Sequence, residues 1–372
     1  KEYANFQILI PRKVNFIRSM PIFKSDWNLQ WSVMIILYYV DIIDCSNYYI
    51  PDRGKKTSNE ELRDLTEELY ALDTFNYEKY VRFNFQHKTY YPNITHYSLY
   101  EFPEKAQNPL IEIKDKSLYN VSTVRALLEL FPHFNPDINA YEINSRRKRK
   151  LKKRFLNKVC NTPVMQKMQQ FFIKKGELKS DLLEEYFTFL SDMWFEPFKR
   201  HTHSQHVSSS GFEHTFLAEY SKNDTHIRVY GFHNWLYFHY LESLNQSLAY
   251  HGHSRRRAIG NNESRTLQLT NVFMDWQDCQ RVGGMILGIS PELELALYTL
   301  CIMYRTNDPD GCRISLGGSE VVIRAFEYYV KKQRYISSVF PVFDYRPWNL
   351  SVTTTRRPRP PKLTEPKSMF MF

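Results

Sequence analysis

The sequence lacks the spacings that mark metal-binding and redox motifs. Its five cysteines form no Cys-x-x-Cys pair and no zinc-binding ladder, and they neither require nor exclude one or two disulfides. It also lacks a long apolar run, because residues 31–43 are interrupted and fewer than the ~20 apolar residues of a transmembrane helix. That run fits a signal-peptide core and a buried strand or helix equally well. We therefore expect no stable membrane span.

Negative charge is the scarcer sign. The 372 residues include 50 Lys and Arg against 40 Asp and Glu, a formal charge of +10 that favours an anionic partner, either nucleic acid or an acidic membrane. Eight of the nine residues in 146–154 are basic. This run fits a phosphate-binding face, a processing or nuclear-targeting signal, or a solvated helix face, the last being the default. A loop predicted at 255–257 carries three arginines that either contact phosphate or are solvated.

Hydrophobic patterning divides the chain into three regions. Residues 1–56 are a poorly defined N-terminal segment with a candidate signal region. Residues 57–343 are predicted to form the folded domain, with a helical lobe over 57–200 and a β-rich catalytic lobe over 201–343. Residues 344–372 are rich in proline and arginine and are predicted to be disordered. A helical lobe followed by a β-rich lobe makes the fold class α+β.

Capping residues and periodicity predict the main elements. Thr57 or Ser58 caps a helix whose leucines repeat at helical spacing, and Ser290 with Pro291 begins another helix. Further helices are predicted over 118–130, 156–172 and 181–195. Strands are predicted where residues alternate in polarity or where β-branched and aromatic residues concentrate, over 266–273, 313–316, 321–326 and 335–343.

Two histidines, His214 and His233, are the strongest catalytic candidates. Each lies beside a glycine and a run of aromatic residues, and the interval of 19 residues suits two elements folded back on one another. Two imidazoles that face one cleft can take up and release a proton near neutral pH. Taken alone, each histidine also fits a structural role with its hydrogen bonds satisfied in the core.

The motifs around these histidines resemble those of the EndoU (XendoU-like) family of uridylate-preferring endoribonucleases. The first motif is Ser-Ser-Gly-Phe-Glu-His, which ends at His214, and the second is Gly-Phe-His-Asn-Trp, around His233. Residues 288–299 are similar to the family's GxSPEFExALYT helix. Further matches follow in the expected order at 60–74, 162–165, 193–195 and 336–341. The resemblance therefore covers about residues 57–341 and implies the EndoU-like α+β fold.

The resemblance implies a reaction and a set of residues. RNA would be cleaved by transesterification, with His233 as the base on the ribose 2′-OH and His214 as the acid for the leaving 5′-oxygen, which leaves a 2′,3′-cyclic phosphate. Glu213 and Glu219 match acidic positions that orient the histidines or engage a divalent ion. Ser338 falls at the family's uracil-contact position, and Phe340 replaces a tyrosine, which keeps a stacking face and loses a hydroxyl.

One position departs from the family pattern. The resemblance implies a third catalytic residue, a lysine, where this chain has Gln280 with Arg281 next to it. Glutamine cannot supply the cation, whereas Arg281 can if the strand shifts register by one residue. Loss of a positioned cation typically costs on the order of 10²–10³ in rate. Three outcomes remain open: activity through Arg281, weak activity, or an inactive RNA-binding protein.

Metal chemistry is not defined by the sequence. His201, His203 and His206 with Glu213 suggest a histidine-rich metal site, and a solvated histidine loop is the alternative. The resemblance implies a divalent cation, Mn²⁺ or Ca²⁺ and with Mn²⁺ preferred, but no spacing defines its ligands. It also implies single-stranded RNA as partner, and we expect a monomer. Six N-x-S/T sequons favour a secreted or secretory-pathway glycoprotein.

Overall fold

Capping residues place the helices of the N-terminal half. The computed structural model describes residues 57–88, 104–200, 206–222, 227–244, 248–262, 265–330 and 333–343. Ser58 and Glu61 form a capping box at the start of the first helix, as predicted. The α-helices described in this half are α1 (Asn59–Leu72), α2 (Ser122–Leu130), α3 (Arg146–Cys160), α4 (Pro163–Lys175) and α5 (Leu183–Phe195). Short 3₁₀ helices cover Tyr77–Lys79, Lys116–Asn120 and Phe131–His133.

The single helix predicted over 156–172 is wrong, because the chain forms two helices there. α3 begins inside the basic run and ends at Cys160, and α4 begins at Pro163. The Thr162 hydroxyl accepts a hydrogen bond from the amide of Met165 at 3.4 Å and so caps α4. Proline lacks the N–H that would continue the preceding helix. The apolar periodicity of the sequence continues across this break, so the pattern did not indicate that one helix ends and another begins.

The described residues of the C-terminal half form antiparallel sheets and three helices. One three-stranded sheet has the order β5-β6-β7, the other has the order β10-β9-β8, and β3 pairs with β4. The helices are α6 (Gly211–Phe216), α7 (Trp235–Ser243) and α8 (Pro291–Arg305). The strands are β3 (Ala218–Lys222), β4 (Ile227–Gly231), β5 (Leu248–Asn262), β6 (Arg265–Trp276), β7 (Cys279–Leu287), β8 (Cys312–Leu316), β9 (Ser319–Val330) and β10 (Gln333–Val342). A small sheet in the first half pairs β1 (Val81–Phe83) with β2 (Ile111–Ile113).

The prediction of a loop at 255–257 is also wrong. These three arginines lie within β5, where they pair with residues 269–271 of β6. Arg256 stacks over the ring of Phe85 at 4.4 Å, and Arg257 donates to the carbonyl of Glu320. A strand with one solvated face can carry charged residues, so its sequence is as polar as that of a loop. Polarity alone therefore does not distinguish a paired strand from a loop.

Helix α8 joins the two lobes through one core. It packs against α4 and α1 on one side and against β9 on the other, and nearly all of its residues are buried. Trp194 of α5 donates to the Thr299 hydroxyl of α8 at 3.0 Å. The hydrophobic core is continuous from the leucines of α1 to β10. The predicted order of a helical lobe and a β-rich lobe is therefore confirmed, and the two lobes share one core.

The described chain contains one disulfide, which joins Cys301 of α8 to Cys312 of β8. Cys160 and Cys279 are free thiols. In the ranges given above, no helix combines the length and apolar character needed to cross a membrane. The predictions for residues 1–56 and 344–372 lie outside the described residues.

Candidate active site

The interval between the two histidines forms a β-hairpin. His214 lies in α6, and β3 and β4 then run antiparallel and bring the chain back to His233. Gly231 at the end of β4 has a φ of 69°, and a Cβ there would lie 1.9 Å from the carbonyl oxygen of His214. Phe232 also has a positive φ, 72°, a conformation that costs a non-glycine residue about 1–3 kcal/mol. The glycine allows this close approach, and the hydrogen bond from the Phe232 amide to the Leu217 carbonyl at 3.0 Å holds the two histidine segments together.

A buried carboxylate orients His214. Its Nδ1 lies 2.9 Å from Oε2 of Glu219, which also accepts a hydrogen bond from Nη2 of Arg200 at 3.0 Å. Burial, with the charge of Arg200, lowers the pKa of His214 to about 4 despite the neighbouring carboxylate. Burial alone would raise the pKa of Glu219, but Arg200 and His214 hold it below its ordinary value. The neutral His214 therefore carries its proton on Nδ1 and keeps Nε2 as a base.

His233 is fixed by backbone and by an aromatic ring. Its Nδ1 lies 3.0 Å from the carbonyl oxygen of Gly284 in β7, and its ring stacks on Phe340 of β10 at 4.8 Å between centroids and 19° between planes. Burial, followed by the charges of Arg281 and His214, lowers the pKa of His233 well below its ordinary value. This imidazole is also neutral at pH 7, with Nε2 as its basic nitrogen.

The two candidates for the cation occupy opposite faces of β7. Side chains alternate along a strand, so Gln280 and Arg281 point in opposite directions. Gln280 is exposed. Arg281 donates from Nη1 to the carbonyl of Val229 in β4 at 2.5 Å, and its charge contributes to the lowered pKa of both histidines. The fold therefore brings Arg281, and not Gln280, to the histidine pair.

The remaining predicted residues divide into two groups. Ser338 and Phe340 are two positions apart on β10, so both face the side on which Phe340 covers His233. Glu213 does not bond either imidazole. Its Oε1 accepts from the Ser210 hydroxyl at 2.9 Å, and burial raises its pKa. Of the two glutamates, only Glu219 orients a histidine.

Arg200 is the site residue that sequence reasoning missed. Besides binding Glu219, it donates from Nη1 to the carbonyl of Ser337 at 2.8 Å and so links His214 to β10. These partners are 19 and 137 positions away in the chain. No local pattern marks such a residue, because only the folded chain brings its partners together.

The residues present do not fit a resident metal site. Across the described ranges, no group of three or more His, Cys, Asp or Glu side chains is arranged to hold an ion. Glu219 is already engaged with Arg200 and His214, and the ring of His206 contacts Tyr141. His201 and His203 lie outside the described residues. We therefore assign no residue to a metal.

Comparison with known proteins agrees with this arrangement of residues. The model of the family described as endoribonuclease XendoU matches residues 61–341. The chain belongs to this family. It is 31% identical over 220 residues to uridylate-specific endoribonuclease EndoU of Drosophila melanogaster, an alignment that covers 59% of this chain and 65% of the relative.

A second relative and a solved structure are also similar to this chain. The uridylate-specific endoribonuclease of Mus musculus is 29% identical over 291 residues, covering 77% of this chain and 66% of the relative. This chain thus spans slightly less than two thirds of the length of these two relatives. The solved structure of XendoU, described as a splicing-independent snoRNA processing endoribonuclease, has a TM-score of 0.58 at 23% identity. It covers 77% of this chain and 98% of that chain, and it supports the α+β fold.

Proposed function

We propose that this chain is an endoribonuclease that cleaves single-stranded RNA at uridylates by transesterification. The observation that carries the proposal is the pair of buried, neutral imidazoles whose Nδ1 atoms are both held by the protein, which leaves both Nε2 atoms for proton transfer. RNA supplies its own nucleophile, so the protein needs a base, an acid and a cation for the phosphorane charge. Similar proteins are named uridylate-specific endoribonucleases.

The environments of the histidines support a division of roles. Nε2 of His233 takes the proton of the ribose 2′-OH, and the 2′-oxygen attacks phosphorus while the bond from phosphorus to the 5′-oxygen breaks. A bound phosphate adds negative charge and raises the pKa of His214 from its lowered value towards neutrality, so that Nε2 takes up a proton from solvent. The Glu219 carboxylate at Nδ1 stabilises this imidazolium form, which then gives its Nε2 proton to the 5′-oxygen. The product has a 2′,3′-cyclic phosphate and a free 5′-hydroxyl.

Arg281 is assigned the role of the cation, and Ser338 and Phe340 the contact with uracil. Arg281 lies on β7, the strand whose Gly284 carbonyl holds His233, and its charge acts on both imidazoles, which supports a role in stabilising the phosphorane charge. Ser338 offers a hydroxyl for the uracil edge and Phe340 offers an aromatic face. The exposed Gln280 supports a second candidate function, RNA binding with little or no cleavage.

Two variants and a modified substrate test the proposal with a U-containing RNA. We expect His233→Ala to lose roughly 10²–10⁴ in rate, while His133→Ala, a histidine outside the site, keeps the wild-type rate. Cyclic phosphate ends and the absence of cleavage when the target uridine is 2′-deoxy would support transesterification. Equal rates for the wild type and His233→Ala would contradict the proposal.

The position of the cation is tested by a matched pair. Arg281→Gln is expected to lose roughly 10²–10³ in rate, and Gln280→Lys to change it little, because residue 280 points away from Arg281. A large gain from Gln280→Lys would instead favour the second candidate function. Each assay is run with and without Mn²⁺. The family resemblance implies a divalent cation, but no step of the proposed reaction uses one.

The proposal extends to compartment and assembly. We place the chain in the secretory pathway as a monomeric glycoprotein, supported by the exposed sequon at Asn120 and by the disulfide Cys301–Cys312. A mobility shift on enzymatic removal of N-glycans, smaller in Asn120→Gln because one of the six sequons is removed, tests the first point. The mass of the purified protein in solution tests the second.

A further inference from the structure

The basic run forms a helix with two distinct faces. Six exposed cations within residues 146–154 of α3 are named here the basic face: Arg146, Arg147, Arg149, Lys150, Lys153 and Arg154. Lys148 and Lys152, one turn apart, point inwards instead. Lys148 pairs with Glu142 and lies 3.6 Å above the ring of Phe134. The prediction of a solvated helix face therefore holds for only part of the run.

The basic face conflicts with the stability of its own helix. The first turn of α3 contains no acidic residue and begins with Arg146 and Arg147, where the positive end of the helix dipole disfavours cations. Like charges one turn apart also repel. Within the described ranges, the only ion pair from this face to a carboxylate joins Arg154 to Glu129. Residues that destabilise their own helix without improving its packing are typical of a functional surface.

The inner face of α3 connects the basic face to the site. Phe155 of α3 packs against Phe212 of α6, with 5.7 Å between ring centroids. The charges of Lys148 and Lys152 also act on the buried Glu213 carboxylate and oppose the rise in its pKa that burial causes. Glu213 precedes His214 in α6. The basic face therefore lies on the outer side of a helix whose inner side contacts the segment that carries a catalytic histidine.

Two aromatic rings form a pair: that of Tyr141, which precedes α3 in the chain, and that of the partly buried His206, which precedes the histidine segment. Tyr141 is 65% exposed, and its ring meets the ring of His206 edge-on at 6.1 Å. The Ser208 hydroxyl donates to the carbonyl of Ile138, and the Ile138 amide donates to the carbonyl of Tyr220 in β3. We call the rings of Tyr141 and His206 the platform. These hydrogen bonds connect the segment before Tyr141 to the residues on both sides of His214 in the chain.

We propose that this platform and the basic face form a subsite for the part of a single-stranded RNA that flanks the cleaved uridylate. A base stacks on Tyr141, and neighbouring phosphates pair with the basic face, which is the usual combination at sequence-tolerant single-strand sites. This inference rests on the proposed function for its ligand. The apolar residues of α3, Phe155, Leu156 and Val159, are buried in the core, so the helix has no apolar face to insert into a membrane.

Charge neutralisation tests the basic face. The variant Arg147→Gln/Lys150→Gln/Lys153→Gln is compared with Lys79→Gln/Lys105→Gln/Lys174→Gln, which removes the same charge from exposed lysines elsewhere. Binding is measured by fluorescence anisotropy with a long 2′-O-methyl oligouridylate, which has no nucleophile and cannot be cleaved. We expect the basic-face variant alone to bind more weakly, with a plot of log affinity against log salt that is shallower by about 2.

Substitution of Tyr141 tests the platform. Tyr141→Ala is expected to weaken binding of the same oligonucleotide roughly 5- to 100-fold, whereas Tyr141→Phe keeps the ring and the affinity. Cleavage adds a second readout. The basic-face variant and Tyr141→Ala are expected to lose kcat/KM on a long RNA and to retain it on a uridylyl dinucleotide, which does not reach the subsite.

The outcomes separate this inference from the proposed function. If the wild type cleaves neither substrate, the proposed function fails, and the binding data still decide the subsite. Equal effects of the two charge variants, or no effect of either, would overturn the subsite. So would a basic-face variant that keeps its RNA affinity and loses binding to phosphatidylserine vesicles, because the face would then serve a membrane.

Discussion

Glu294 illustrates how a single buried acid supports the site. It is fully buried in α8, where Oε2 accepts from Asn234 Nδ2 at 2.5 Å and Oε1 accepts from the Tyr298 hydroxyl at 3.1 Å. Asn234 follows His233 and caps α7 through the amide of Tyr237. Burial raises the pKa of Glu294 to about 8, so the carboxyl is mostly protonated at neutral pH. Its role is to hold Asn234 without a charge.

We therefore expect the neutral amide of glutamine to substitute for the protonated carboxyl of Glu294. The pKa of Glu294 is higher in the folded protein than in the unfolded chain. The stability that the protonated carboxyl contributes is therefore complete below the unfolded pKa and is lost as pH rises through about 8. Glu294→Gln has no such loss. We expect its unfolding free energy, relative to the wild type, to rise by up to about 1.4 kcal/mol per pH unit between the two pKa values.

Urea denaturation of both proteins across this pH range measures the difference. Glu294→Ala is the control, because it loses both hydrogen bonds and should be less stable than the glutamine variant at every pH. A difference between the wild type and Glu294→Gln that does not change with pH would show that Glu294 is charged in the folded protein.

Helix caps differ in what they connect. Ser58 caps α1 at the surface through Glu61. Ser290 caps α8 by accepting from the Leu293 amide at 3.1 Å, and its hydroxyl also donates to the buried Asp73 at 2.9 Å. Both caps are evident in the sequence, but their difference in burial is a property of the folded chain.

The buried cap should therefore contribute more to stability. We expect Ser58→Ala to lower the unfolding free energy by about 1 kcal/mol, the usual value of an N-cap. Ser290→Ala should lower it by roughly 2–3 kcal/mol, because the Asp73 carboxylate also loses a donor in the core. Chemical denaturation of the two variants, with equal slopes against denaturant, measures both. Similar losses from the two substitutions would contradict this argument.

Two links connect separate elements of the described domain, one between residues 73 and 265 and one between residues 301 and 312. Arg265 at the start of β6 pairs with Asp73 after α1 and stacks over Tyr70, whose hydroxyl donates back to the Arg265 carbonyl at 3.0 Å. The disulfide Cys301–Cys312 ties the end of α8 to the second sheet. Both links join elements from different parts of the shared core.

Removal of the disulfide should destabilise the whole domain. For a closed loop of this length, we expect Cys301→Ala/Cys312→Ala to lower the unfolding free energy by roughly 3 kcal/mol, chiefly through the entropy of the unfolded chain. Cys279→Ser, which changes a partly exposed free thiol, should have little effect. Thermal unfolding with and without a reductant checks this, since the reductant should lower the stability of Cys279→Ser but not that of the double variant.

The sequence by itself determined the features that depend on neighbours along the chain. The caps at Ser58 and Ser290, the strand at 266–273 and the two histidine motifs each rest on residues within a few positions of one another. The order of the two lobes and membership of the XendoU family also follow from such motifs and their order.

Only the tertiary structure decided which of these residues meet. It brought Arg281 rather than Gln280 to the histidines, added Arg200, and turned Lys148 and Lys152 inwards while their neighbours formed the basic face. It also placed the arginines at 255–257 in a strand. The physical reason is that burial and charge pairing depend on contacts between residues far apart in sequence, and a local pattern carries no record of them.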